Sequence, residues 1–214
     1  MLRHVAHELI EHAPFTAIGA VIGIIVMLII HFSNAPREIS HAVFYTLHPL
    51  HIVLSALTTT AMYRLNKKGK LWWTILIGYT GSIGIATLSD IIIPYLGGET
   101  LNIPMEFHLP FIETGTMPYI GVQKWVIVNA AAIIGIAIAY WKPTTRFPHM
   151  GHVLLSTWAS LFSFTAFGIA NWIPLLPFIF LFLFLAVWLP CCVSDIVYPL
   201  LWIRKEPPPH LRKS

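Results

Sequence analysis

The sequence predicts an all-α polytopic membrane protein of six transmembrane helices, arranged as a 3+3 inverted-topology repeat. Three observations predict it: an apolar composition broken into six runs, a one-sided placement of basic residues, and a polar pattern in the first half that returns in the second. Of 214 residues, 57% are hydrophobic and 10% charged, with a mean hydropathy of +0.74. Soluble domains carry about 25% charged residues. A helix crosses the hydrocarbon with about 20 apolar residues, so this length holds six crossings and no large soluble domain. Any chemistry must then sit in the helices or in short connections. Glu8, Glu11 and several histidines interrupt the N-terminal region, so no cleaved signal peptide is expected. Cys191 and Cys192 are neighbours in the chain and seldom bridge in that position, so no disulfide framework is expected either.

Residues 1–13 form a polar, amphipathic, helix-prone segment, and Pro14 opens the first span over 14–32. The second span covers 39–63 and ends in Arg64, Lys67, Lys68 and Lys70. The third starts at the interfacial pair Trp72 and Trp73 and ends near Tyr95, ahead of Gly97-Gly98. These spans make the first three-helix repeat, 14–96. A connection over 97–121 carries Glu99, Glu106 and Glu113 with no Lys or Arg. The second repeat, 122–203, holds spans over 122–141, 147–170 and 172–203, and the Pro-rich tail 204–214 reads as disordered.

Basic residues orient the chain. With the N-terminus in the cytoplasm, all but Arg37 and Lys124 of the 13 Lys and Arg fall inside. Both termini are then cytoplasmic, the connection 97–121 is extracytoplasmic, and an even number of spans is required.

The repeat is visible in the rare letters. His48-Pro-Leu-His51-Ile-Val-Leu54-Ser55 returns as His149-Met-Gly-His152-Val-Leu-Leu155-Ser156, an offset of 149 − 48 = 101. Ser89-Asp90 with Pro94 returns as Ser194-Asp195 with Pro199, an offset of 195 − 90 = 105. Glu11 with Glu113 and Pro14 with Pro118 follow weakly at similar offsets. Each half holds three spans, and an odd number reverses insertion, so the halves are expected upside down relative to each other.

His48, His51 and Ser55 share one stripe of the second span, and His41 extends it outward. His149, His152 and Ser156 repeat the stripe on the fifth. With Asp90 and Asp195 from the following spans, the expected metal ligands are His48, His51, Asp90, His149, His152 and Asp195. Two imidazoles and a carboxylate suit a divalent transition metal: Zn, Mn, Fe, Co or Ni. Ionisable groups inside spans are costly and default to functional readings. Secondary candidates are His41, Ser55, Ser89, Ser156 and Ser194, with Cys191 four before Asp195 as a thiolate that softens the inner site. His7, Glu8, Glu11 and His12 offer a cytoplasmic loading face, and Glu106, His108 and Glu113 a counterpart in the outer connection. The two clusters are expected at different depths, with their convergence toward the midplane left open. Gly19 and Gly23, and Ala131, Gly135 and Ala139, read as small-residue faces for close helix packing.

The function expected from this pattern is transport or channelling of a divalent transition-metal cation, coupled to protons through the imidazoles. A b-type cytochrome is the rival, with haem held by an outer group (His31, His41, His48, His51) and an inner one (His12, His149, His152). An intramembrane metal-dependent enzyme is the third reading, although the HH doublets of membrane desaturases are missing. A fourth, bland reading pairs His and Asp merely to hold helices together. Expected partners are the bilayer and the ion, with the chain acting as a homo-oligomer or as one subunit of a membrane complex. No nucleotide motif or nucleic-acid surface is present.

Overall fold

The computed structural model describes residues 2–67, 69–117, 120–144, 146–168, 172–192 and 197–203. Within them the side chains of 2–9, 11, 12, 15, 146–150, 186 and 192 lie outside the description. The chain is all-helical, and no strand forms among the described residues beyond two isolated bridges, Met105 with Gly168 and Thr116 with Gln123.

The helices are α1 (Leu2–Phe32), α2 (Arg37–Asn66), α3 (Leu71–Thr87), α4 (Ile93–Thr100), α5 (Lys124–Trp141), α6 (Arg146–Phe167), α7 (Leu176–Cys192) and the short α8 (Tyr198–Leu201). A π-helical turn, Leu88–Ile92, joins α3 to α4 as one bent rod. Among the described residues, four stretches are long and apolar enough to cross a membrane: Arg37–Asn66, Leu71–Thr100, Lys124–Trp141 and Ile173–Cys191. In α1 the described side chains form a further apolar run over Thr16–Phe32. Helix α6 is not among the four, and it carries a buried stripe of His152, Ser156, Thr157, Ser160 and Ser163.

Burial is inverted relative to a soluble bundle. Ile18, Ile22, Ile25 and Ile29 of α1, Ile133 and Ile134 of α5, and Phe178, Leu181 and Leu185 of α7 face outward. Two histidines of α2, Asp90 and a run of hydroxyls on α2 and α6 are sealed inside. Polar groups inside and large apolar side chains outside mark a protein whose solvent is lipid. Two differences from the sequence reading are local. Helix α1 runs unbroken through Pro14, back to Leu2, and the third rod continues three residues past Gly97 to Thr100.

Packing centres on α2 against α6. Helix α1 lies against α6 and α7, and α5 lies against α2 and α3. The small-residue faces account for both approaches. A Cβ on Gly23 would stand 2.3 Å from Leu161 of α6, and one on Gly135 would stand 2.3 Å from the Val53 carbonyl oxygen of α2. The second clash is with backbone, which cannot rotate away. Gly84, in contrast, has nothing within 4 Å of an added Cβ. Gly135→Leu is therefore expected to lower the melting temperature in detergent, consistent with an overpacking cost of about 1–3 kcal/mol or more. Gly84→Ala is expected to leave it unchanged or raise it, since alanine is the better helix former. Thermal melts of the two purified variants check this.

Candidate functional site

The bent third rod delivers Asp90 to the α2–α6 interface. Pro94 has no N–H to offer the carbonyl of Asp90 four residues earlier, and its ring crowds that carbonyl. The backbone accommodates it by widening into the π-helical turn over Leu88–Ile92. Single π turns of this kind recur at functional sites. Ser89 and Asp90, consecutive in the chain, both point into the bundle here, and the Ser89 hydroxyl donates to Asp90 Oδ1 at 2.7 Å.

His48 and His51, one turn apart on α2, reach the other carboxylate oxygen. Their Nδ1 atoms lie 2.8 and 2.7 Å from Asp90 Oδ2. From α6, Ser156 donates to Oδ1 at 2.9 Å, and the Ser160 hydroxyl sits 2.9 Å from the Ser89 carbonyl oxygen. His48 is 1% exposed, and His51 and Asp90 are 0% exposed. A carboxylate sealed from water is costly unless its oxygens are satisfied, and here both are.

His51 also faces the second half of the chain. Its ring stacks on His152 of α6, centroids 5.2 Å apart and planes 14° from parallel. These two are the residues that the 101-residue offset makes equivalent. Cys191 of α7 completes a second group, so that one ligand atom each of His51, His152 and Cys191 lie within 4.8 Å of one another. The same holds for His48, His51 and Asp90. The two groups share His51.

Not every polar atom in this centre is satisfied. His51 Nε2 and Ser55 Oγ, four residues apart on α2, are buried and have no hydrogen-bond partner among the described residues. Buried side-chain polar atoms are paired in the large majority of cases, and exceptions call for an explanation such as strain, a catalytic role, a bound water or an ion.

The remaining candidates separate clearly. His41 lies at the end of α2 where the 101–123 connection folds, half-buried and edge-on to Phe167 at 4.7 Å, and joins neither group. His31 packs on Trp172 at the same end. His149 is in α6, but its side chain lies outside the described ones, as do those of His7, Glu8, Glu11 and His12 in α1. Ser194 and Asp195 lie outside the described residues altogether.

The 101–123 connection plugs one end of the bundle. Glu113 accepts a hydrogen bond from Tyr45 at 3.0 Å and is ion-paired with Lys124, whose ammonium lies over the Tyr45 ring. Glu106 joins the backbone of Phe167 through its N–H. His108 stacks on Phe167 at 3.6 Å and meets the edge of Phe44, which itself stacks on His48. An aromatic column thus runs from the connection to the carboxylate centre. The sequence placed His108 in an acidic loop and gave no sign of this packing.

No protein-family model matches this chain, and neither does a curated protein or a solved structure. The geometry alone carries the functional reading.

Two predictions follow from the site. Removing the Ser156 hydroxyl takes one donor from Asp90, while Asp90→Leu strands two imidazoles and two hydroxyls at once. Melting temperatures are expected to fall in the order wild type, S156A, D90L, with costs of about 1–3 kcal/mol for the serine and about 3–5 kcal/mol for the aspartate. His108 is held down to about 4 from an ordinary 6.5, chiefly by burial, with its hydrogen bond to the Glu106 carbonyl opposing. A depressed histidine is neutral in the folded state, and the unfolded chain takes up the proton first. Stability is therefore complete above about pH 6.5 and declines as pH falls toward 4. Comparison of wild type with His108→Gln across this window is expected to show a shallower loss in the variant.

Proposed function

We propose that the protein is a multi-pass transporter or channel for a divalent transition-metal cation, and that the ion is handled by His48, His51 and Asp90. The observation that carries this reading is the unpartnered His51 Nε2. In metal sites a ligating imidazole gives its other ring N–H to a carboxylate, which fixes the tautomer and leaves a lone pair toward the ion. His51 has this form, with Nδ1 on Asp90 and Nε2 buried without a hydrogen bond among the described residues; Asp90 then orients His51, and becomes a ligand beside it only once the Nδ1 proton has left.

The six spans and the inverted repeat belong to the same proposal, and helix packing supports them. An inverted repeat pairs α1 with α5, α2 with α6 and the third rod with α7. Under that exchange the α1–α6 contact becomes α5–α2, and α1–α7 becomes α5–α3. All four contacts occur, with α2 and α6, each other's equivalents, at the centre. Gly23 and Gly135 serve these equivalent approaches. Val197, at 92 + 105, has the π-helical register of Ile92. By this symmetry His149 and Asp195 supply the second half of the pathway, both termini are cytoplasmic, and the halves rock about the shared centre.

The haem alternative fits less well. Axial imidazoles approach the iron from opposite faces of the porphyrin, whereas His51 and His152 stack face to face at 5.2 Å. His31 and His41 are spread along the far end of the bundle among aromatic side chains.

The test is uptake of Zn(II) or Mn(II) into proteoliposomes. Wild type is expected to load the vesicles, and H51A and D90A to lose uptake at least about tenfold while remaining monodisperse. H41A, whose side chain lies outside both groups, is expected to retain it. Unchanged flux in folded H51A and D90A contradicts the proposal.

A further inference from the structure

We propose that His51, His152 and Cys191 form a second, softer metal position, and that a borderline or soft cation such as Zn(II) passes to it from the His48–His51–Asp90 set. This rests on the reading of His51 as a ligand and deepens it by naming the cation class. The three side chains come from α2, α6 and α7, and each is fully buried. Their ligand atoms lie within 4.8 Å of one another. Tetrahedral zinc draws nitrogen and sulfur donors to about 3.3–3.8 Å apart, so small side-chain rotations close the set.

Two features make this a relay rather than two independent sites. First, His51 is common to both sets, and a neutral imidazole has a single lone-pair nitrogen. The residue therefore serves one ion at a time, and filling one position empties the other. Second, the two donor sets differ in kind. Nitrogen and carboxylate oxygen accept the whole divalent series, whereas a thiolate selects zinc and softer ions over manganese or magnesium. Ligation requires the Cys191 thiol to give up its proton, so arrival of the ion at this position releases one.

The softening is confined to one half. The Ser-Asp offset sets Ala86 opposite Cys191 (191 − 105 = 86), and Ala86 is a buried methyl with no donor. An ion moving between the halves thus meets a discriminating step only on the α7 side. Cys192, the adjacent thiol, has its side chain outside the description and serves as the internal control.

The experiment is a Co(II) titration of the detergent-purified full chain, followed by its absorption spectrum. Wild type is expected to show a thiolate-to-cobalt charge-transfer band in the near ultraviolet. C192S is expected to keep that band and C191S to lose it, with Cd(II) affinity of C191S down by about 10–100-fold. If Co(II) binds but the band is missing in wild type, or disappears in C192S rather than C191S, the inference is overturned while the His48–His51–Asp90 reading stands. If wild type binds no Co(II) at all, that reading has failed and the relay with it. Should C191S not fold, the wild-type band and its retention in C192S decide the matter.

Discussion

A single buried carboxylate organises the bundle. Asp90 draws two histidines of α2 to one oxygen and, with Ser89, a serine of α6 to the other. In lipid there is no water to complete a half-made network, so each partner constrains the rest. The pairing fixes the rotation of α2, the register of α6 against it, and the depth at which the bent third rod enters. The flanking glycine faces then let α1 and α5 close over the central pair. Remove the carboxylate and every one of these choices loses its reason.

The same interaction leaves the two nitrogens of one residue in different environments. At His51, Nδ1 is committed to Asp90 and stabilises the fold, whereas Nε2 makes no hydrogen bond among the described residues and the ring stacks on His152. His48 also touches Oδ2, but its ring is stacked under Phe44 and, beyond it, His108. The aromatic column shields that flank of the site. The open chemistry is on the flank that faces the other half of the chain.

Much of this was readable in the residues, for a physical reason. Ionisable groups are rare in apolar spans, so the spacing of His48, His51 and Ser55 and its echo at His149, His152 and Ser156 stood out, as did Asp90 one helix later. The small-residue faces of α1 and α5 were legible by the same contrast. Three things were not. The π-helical turn at Asp90 depends on how the chain absorbs Pro94, and a proline predicts a bend without predicting its form. The stacking of His51 on His152 depends on helix rotation, which a stripe of polar residues fixes only loosely. The packing of His108 under Phe167 is a long-range contact of an irregular connection, where no periodicity exists to be read. His41 shows the converse: its spacing put it on the histidine stripe, but α2 carries it to the end of the bundle among aromatic rings.

Anomalous diffraction from crystals grown with Zn(II) asks the central question directly, because it locates the ion without relying on activity. The account predicts a peak inside the bundle, at bonding distance from a nitrogen of His51 and from either Asp90 or Cys191. Peaks confined to surface acidic or histidine side chains, with an ordered water completing His51 Nε2, would contradict it.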